Sequence, residues 1–165
     1  MATITFKGSQ ISTSGDLPSV GQPAPDFTLC SGDLEDVSLS SFSGSPVVLN
    51  IVPSLDTSVC QASARRFNEE AGAKSVKVAN ISCDLPFAMG RFCGSEGLDH
   101  LVNLSVFRSP EFMDDYGVKI VDGPLKGLCC RAVVIVDAEG TVIYTELVPE
   151  IAQEPDYDAA IAALS

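Results

Sequence analysis

The segment from Val47 to Cys60 constrains this chain more than any other. Val47-Val-Leu-Asn-Ile-Val52 is short, continuous and β-branched, the pattern of a central strand covered on both faces. Pro53 ends the run, since proline has no N–H for a strand ladder. Beyond it, from Thr57 to Ala71, the residues Val59, Ala62, Ala64 and Phe67 interleave with Arg65, Arg66, Asn68, Glu69 and Glu70 as in an amphipathic helix. Asp56 or Thr57 is its expected cap and Gly72 its expected stop. Cys60 therefore falls in the first helical turn. Unpaired backbone N–H groups and the positive end of the helix dipole favour a thiolate there, and a thiolate is a nucleophile.

The remaining pattern alternates strands with helices. Ile4-Thr-Phe and Gln10-Ile11 flank Lys7-Gly8-Ser9 as a small hairpin, and the proline-rich stretch Leu17 to Asp26 reads as an extended connector. Phe27 to Cys30 and Val37 to Leu39 alternate around a Gly-Asp turn. Val76 to Ser82 reads as a second central strand, and Leu85-Pro86 opens a short helix through Cys93 that Gly94 ends. Val102 to Val106 looks extended, and Pro110 to Tyr116 makes one or two helical turns. Leu128 to Val136 is expected to be a long apolar strand, turned at Asp137-Ala-Glu-Gly140 into Thr141 to Val148, with a terminal helix over Tyr157 to Leu164. Parallel pairing first and an antiparallel hairpin later define an α/β fold: a thioredoxin-like central mixed sheet flanked by helices, with an N-terminal β-hairpin extension. One domain over residues 1–165 is expected, because no repeat or second domain is evident and the length suffices for one core.

Composition narrows the function classes. A formal net charge of −12, with scattered lysines and arginines, argues against nucleic acid and anionic membrane surfaces as partners. The amino terminus lacks the pattern of a signal peptide and no apolar run is long enough to span a bilayer, so a cytoplasmic location with reduced thiols is expected. The cysteines at 30, 60, 83, 93, 129 and 130 include no C-x-x-C pair, which leaves a zinc knuckle and a disulfide reductase poorly supported. His100 is the one histidine, so a histidine-based triad or an H-E-x-x-H helix cannot be assembled, and His100 reads as a surface or capping residue. No metal or cofactor is expected.

Val20-Gly-Gln-Pro-Ala-Pro-Asp-Phe-Thr-Leu29 followed by Pro53-x-x-x-Thr57-x-x-Cys60 resembles the signature of peroxiredoxins. Asp84-Leu-Pro-Phe-Ala-Met-Gly-Arg-Phe-Cys93, Asp122-Gly-Pro-Leu-Lys-Gly-Leu128 and Glu154-Pro-Asp-Tyr157 are similar to the bacterial thiol peroxidase subfamily, an atypical two-cysteine group, across essentially the whole chain. The resemblance implies reduction of hydrogen peroxide and organic hydroperoxides by Cys60, an intramolecular disulfide with the resolving Cys93, recycling by thioredoxin, and a homodimer. It also implies that Arg131 holds the thiolate and polarises the peroxide.

The residues agree with that chemistry. A thiolate can attack the weak O–O bond while nearby donors stabilise the leaving oxygen. Thr57 lies three positions before Cys60 on one helical face, so its hydroxyl can serve the peroxide and the thiolate as well as cap the helix. Pro53 brings no competing N–H and its ring can shield the pocket. Arg131 sits in an otherwise apolar strand, where a guanidinium needs an anionic partner or a route to solvent. Arg65 and Arg66, farther along the helix, are weaker candidates. Two helix-borne cysteines do not start within about 7 Å between Cα atoms, so local unwinding around Thr57 and Cys93, eased by Gly90 and Gly94, is expected in each cycle. Cys30, Cys83, Cys129 and Cys130 read as small buried hydrophobes, with an alternative resolving role open for Cys83 or Cys129. A peroxide sensor that relays its disulfide to a partner protein, and a non-catalytic binding module, are the competing functions.

Overall fold

The computed structural model describes residues 1–74, 76–98 and 100–164. Strands β1 (Thr3–Phe6) and β2 (Ser9–Ser12) form the opening hairpin. Its turn residues Lys7 and Gly8 both take positive φ, +51° and +81°, the backbone whose twist suits paired strands. The main sheet holds β3 (Thr28–Ser31), β4 (Asp36–Ser38), β5 (Val47–Ile51), β6 (Lys77–Ser82), β7 (Leu101–Ser105), β8 (Ala132–Val136) and β9 (Val142–Leu147), in the order β4-β3-β7-β6-β5-β8-β9. Only β5, β6 and β7 run parallel to one another; β3, β4, β8 and β9 pair antiparallel. The helices are α1 (Ser58–Lys74), α2 (Pro86–Glu96), α3 (Glu111–Asp115) and α4 (Tyr157–Ala162).

Every residue of β5 is buried, as its unbroken apolar run requires. The pleat sends Leu49 and Ile51 into one core with Phe27, Phe112 and Tyr116, while Val48 joins Phe67 and Ala71 of α1 and Ala160 of α4 on the other face. Aromatic contacts fasten both layers. Phe112 stacks on Tyr116 with ring centres 4.4 Å apart, and Phe67 meets Tyr157 edge-on at 5.3 Å. The connector over Leu17 to Asp26 forms no strand or helix and is held by main-chain bonds such as Ala24 N–H to Gly140 O at 2.9 Å.

The element ends differ from the sequence expectation by three residues or more at three places, each for a visible reason. Helix α1 passes through Gly72 to Lys74, because the glycine serves close packing: a Cβ there would meet the His100 ring Nε2 at 3.0 Å. Helix α2 passes Gly94 and stops at Gly97, whose φ of +67° makes it the left-handed cap bonded to Cys93 O. The expected strand over 128–136 begins only at Ala132, since Ala132 pairs with Ile51, the last residue of β5, and upstream of it only the β9 side continues, with Val148 N–H donating to Arg131 O. Residues before it turn instead to the segment after α3, with Cys129 bridged to Lys119 and Cys130 N–H bonded to Val118 O. Among the described residues no helix is long and apolar enough to cross a membrane.

Candidate active site

Cys60 stands just beyond the carboxyl end of β5, in the first turn of α1, and is 0% exposed. Ligand sites in open α/β sheets gather at such strand ends. Because β8 runs antiparallel beside β5, its start lies next to the end of β5, and Arg131 is the residue just before that start. Arg131 Nη1 donates to Cys60 Sγ at 3.2 Å, and Nε donates to Ile151 O at 2.8 Å. At 2% exposure the guanidinium has no route to water, so its charge is directed at sulfur, which accepts best as a thiolate.

Thr57 occupies the turn that opens α1, its carbonyl accepting from Gln61 N–H at 2.9 Å. Its exposed hydroxyl donates to Ser54 O at 3.0 Å, so in this state that proton is engaged with the loop rather than with Cys60. Pro53 is buried between β5 and this loop. Asp84, at the head of α2, fastens the loop from the other side: its carboxylate accepts from Ser54 Oγ at 2.7 Å, Leu55 N–H at 2.7 Å and Ser82 Oγ at 2.8 Å. Arg65 is exposed, and Arg66 pairs with Glu70 and Asp158 and lies over the Tyr157 ring, contacts that lead Arg66 away from Cys60.

Cys93 sits on α2, half-buried, and packs with Phe92 and Leu101 against a small apolar cluster that contains Cys60, Val52, Leu55, Ala64 and Met89. Both cysteines are free thiols. Burial pushes the Cys93 thiol up, an effect partly offset by Asn103, whose Nδ2 donates to Cys93 Sγ at 3.1 Å. An open cleft of about 680 Å³ separates the start of α1 from α2, with Leu55 and Gln61 on one wall and Phe87, Arg91 and Phe92 on the other. Cys60, Thr57 and Arg131 do not line it, so a substrate in the cleft faces the neighbours of the buried sulfur rather than the sulfur itself.

A polar row behind the two cysteines escaped the sequence reading. Ser63 Oγ donates to Cys60 O at 2.9 Å and lies 3.4 Å from Asn50 Nδ2, which also donates to Asn80 Oδ1 at 2.9 Å. Asn80 Nδ2 reaches Asn103 Oδ1 at 3.4 Å, and Asn103 ends the row at Cys93. The asparagines stand in register across β5, β6 and β7. The signal was present: Asn50 and Asn80 interrupt central apolar strands, as Arg131 interrupts the apolar segment that leads into β8. Ile151 was legible only in space, since it contributes a carbonyl.

A buried cysteine at a helix start, held by an arginine on a thioredoxin-like sheet, is the arrangement of thiol-dependent peroxidases of the peroxiredoxin class. The profile of the family described as Redoxin matches residues 19–161, and the chain belongs to that family. Proteins named thiol peroxidase from Mycobacterium tuberculosis and Mycobacterium bovis are 56% identical to it over 164 residues, covering 99% of each chain. Among solved structures, a peroxiredoxin-like protein from Aquifex aeolicus is 40% identical with a TM-score of 0.92, covering 99% of this chain and 96% of that one. A thiol peroxidase from Chromobacterium violaceum matches at 27% identity and a TM-score of 0.92, covering 98% and 94%.

Proposed function

We propose that this member of the redoxin family is a thiol-dependent peroxidase of hydrogen peroxide and organic hydroperoxides, with Cys60 as the attacking sulfur and Cys93 as the resolver. The contact that carries this reading is the one between Arg131 Nη1 and Cys60 Sγ. The Cys60 thiolate attacks one peroxide oxygen, the O–O bond breaks, and the departing oxygen takes up a proton to leave as alcohol or water. Arg131 offers the donor for that developing charge, and Thr57 a hydroxyl once it releases Ser54 O. Pro53 screens the sulfur from water. The resulting sulfenic acid condenses with the Cys93 thiol, expelling water and forming the disulfide. Thioredoxin then reduces that disulfide by dithiol exchange.

Complete burial of Cys60 and the engagement of Cys93 with Asn103 both require local opening for this sequence of events. The first turn of α1 and the segment around Cys93 unwind together. The enzyme works in the cytoplasm as a single-domain chain that pairs as a homodimer, as its family resemblance implies.

Peroxide consumption with thioredoxin, thioredoxin reductase and NADPH tests the assignment. Turnover is abolished in Cys60→Ser and strongly reduced in Cys93→Ser. Turnover independent of Cys93 moves resolution to another thiol, and its absence in the unmodified protein supports a sensor or a binding module instead. Amide exchange in residues 57–61 and 90–94 rises on oxidation; unchanged exchange rejects the unwinding step.

A further inference from the structure

Asn50, Asn80 and Asn103 stand in register across β5, β6 and β7. Asn50 and Asn80 are 1% and 0% exposed, and Asn50 interrupts an otherwise apolar strand. Buried amides cost free energy that apolar side chains do not, unless each end is answered. Here one end is not, since Asn50 Oδ1 is buried without a hydrogen-bond partner among the described residues. From Asn50 onward, the bonds that these amides do make all point toward Cys93.

That direction is fixed at both ends by groups whose roles cannot be exchanged. Met89 O is a carbonyl and only accepts, so the end of Asn103 that lies 3.3 Å from it is Nδ2. The same Nδ2 donates to Cys93 Sγ at 3.1 Å, while Oδ1 faces Asn80 Nδ2 at 3.4 Å. At the far end the Ser63 hydroxyl donates to Cys60 O at 2.9 Å, which leaves its oxygen to accept from Asn50 Nδ2 at 3.4 Å. Asn50 Nδ2 also donates to Asn80 Oδ1 at 2.9 Å, and this turns Asn80 Nδ2 toward Asn103. An asparagine turned end for end would set donor against donor or oxygen against oxygen.

The orientation matters to the thiol. Asn103 Oδ1 also lies 3.4 Å from Cys93 Sγ, a contact that accepts from S–H and favours the neutral thiol, whereas Nδ2 favours the thiolate. Of the two groups that hold Asn103 in place, Met89 belongs to α2, the helix that opens around Cys93, and Asn80 to a central strand. Asn80 is the support that stays.

We propose that Asn80 is a positioning residue for the resolving cysteine: it keeps the Asn103 amide turned with its N–H toward Cys93 Sγ and, through Asn50 and Ser63, ties that orientation to the wound first turn of α1 at Cys60. This role rests on Cys93 being the resolver. Asn80 itself touches neither thiol and acts only through Asn103.

Iodoacetamide alkylation of Cys93 in the reduced full-length protein, read by peptide mapping over a pH series, tests the role without any peroxide. Failure of Cys93 as resolver shows separately, as undiminished turnover of Cys93→Ser. In Asn80→Leu the alkylation rate at pH 9 falls roughly two- to ten-fold, the effect of one net hydrogen bond, and the loss disappears once the pH exceeds the thiol's midpoint. Added to Asn103→Leu, the same substitution changes nothing further, because its only route to the sulfur is already cut. A rate unchanged or raised at pH 9, as a merely loosened sheet would give, or a further fall in the double variant overturns the proposal. Should circular dichroism show Asn80→Leu unfolded, Ser63→Ala decides: a slower rate at pH 9 that is absent in the Asn103→Leu background supports the role, and an unchanged or faster rate rejects it.

Discussion

Arg131 and Cys60 stand 71 positions apart in the chain and meet at 3.2 Å, because antiparallel β5 and β8 bring the end of one strand to the start of the other. The sheet, rather than a flexible loop, sets that distance. A second bond from Nε to Ile151 O keeps the guanidinium plane from rotating away.

Replacing Arg131 by methionine keeps most of its length and removes both donors. A hydrogen bond to a charged group contributes about 1.5–3 kcal/mol, so the rate of Cys60 oxidation falls roughly 10- to 150-fold. Arg131→Lys retains a charge but not the fork that serves sulfur and carbonyl at once, and recovers only part of the rate. Stopped-flow oxidation of the reduced protein measures both; a change under about two-fold in Arg131→Met contradicts the assigned role.

Asn103 acts on the second thiol. Its Nδ2 donates to Cys93 Sγ and to Met89 O and offsets the burial that raises the Cys93 pKa, so Asn103→Leu leaves less of the resolving thiolate and slows disulfide formation. Sulfenic acid formation on Cys60 keeps its rate, and more of that acid is lost to sulfinic acid at high peroxide. Mass spectrometry of the quenched reaction separates the two steps. In the same variant Cys93 alkylates more slowly at pH 9, because burial then raises its pKa without the offset from Asn103.

Glu150 adjoins Ile151 and clasps the opening hairpin: its carboxylate accepts from Thr5 Oγ1 at 2.6 Å and from the N–H groups of Lys7, Gly8 and Ala152. The Thr5 hydroxyl, then these amides, hold its pKa down to about 2 from 4.5. A lowered pKa means that the folded state favours the ionised form. Its contribution is complete above about pH 4.5 and disappears as pH falls through about 2. Thermal melts of Glu150→Gln beside the unmodified protein show a Tm difference that is constant above pH 6 and narrows toward pH 2; a difference that widens on acidification refutes the sign.

Phe67 joins α1 to both the sheet and α4, at 1% exposure and in edge contact with Tyr157. Phe67→Ala costs about 3–5 kcal/mol through lost burial and the cavity left behind. Urea titration measures the loss, and a value under about 1 kcal/mol shows that the site collapses around the smaller side chain.

Much of this architecture was legible in the chain. The strand at Val47 to Ile51, the helix bearing Cys60 and the hairpin at Asp137 to Gly140 follow from periodicity and turn chemistry, which are local. Gly72 misled because glycine also permits close approach, here by the His100 ring, and only tertiary structure distinguishes that from a helix stop. The strand expected from Leu128 starts late because β5 runs out of pairing partners, a fact about a neighbour rather than about residues 128–131 themselves. Arg131 stood out by being charged among apolar residues, yet Asn50 and Asn80 carried the same kind of signal and only their cross-strand register reveals what they join.

That register bears on how the protein finds its fold. Asn50, Asn80 and Asn103 face one another in a line, so a sheet assembled one residue out of step would turn these amides toward the opposite face and leave buried donors unanswered. The row acts as a proofreading key during folding. Misaligned pairings of the parallel strands are penalised before any chemistry begins, and only the aligned sheet links the Cys60 main chain, through Ser63 and the three asparagines, to Cys93.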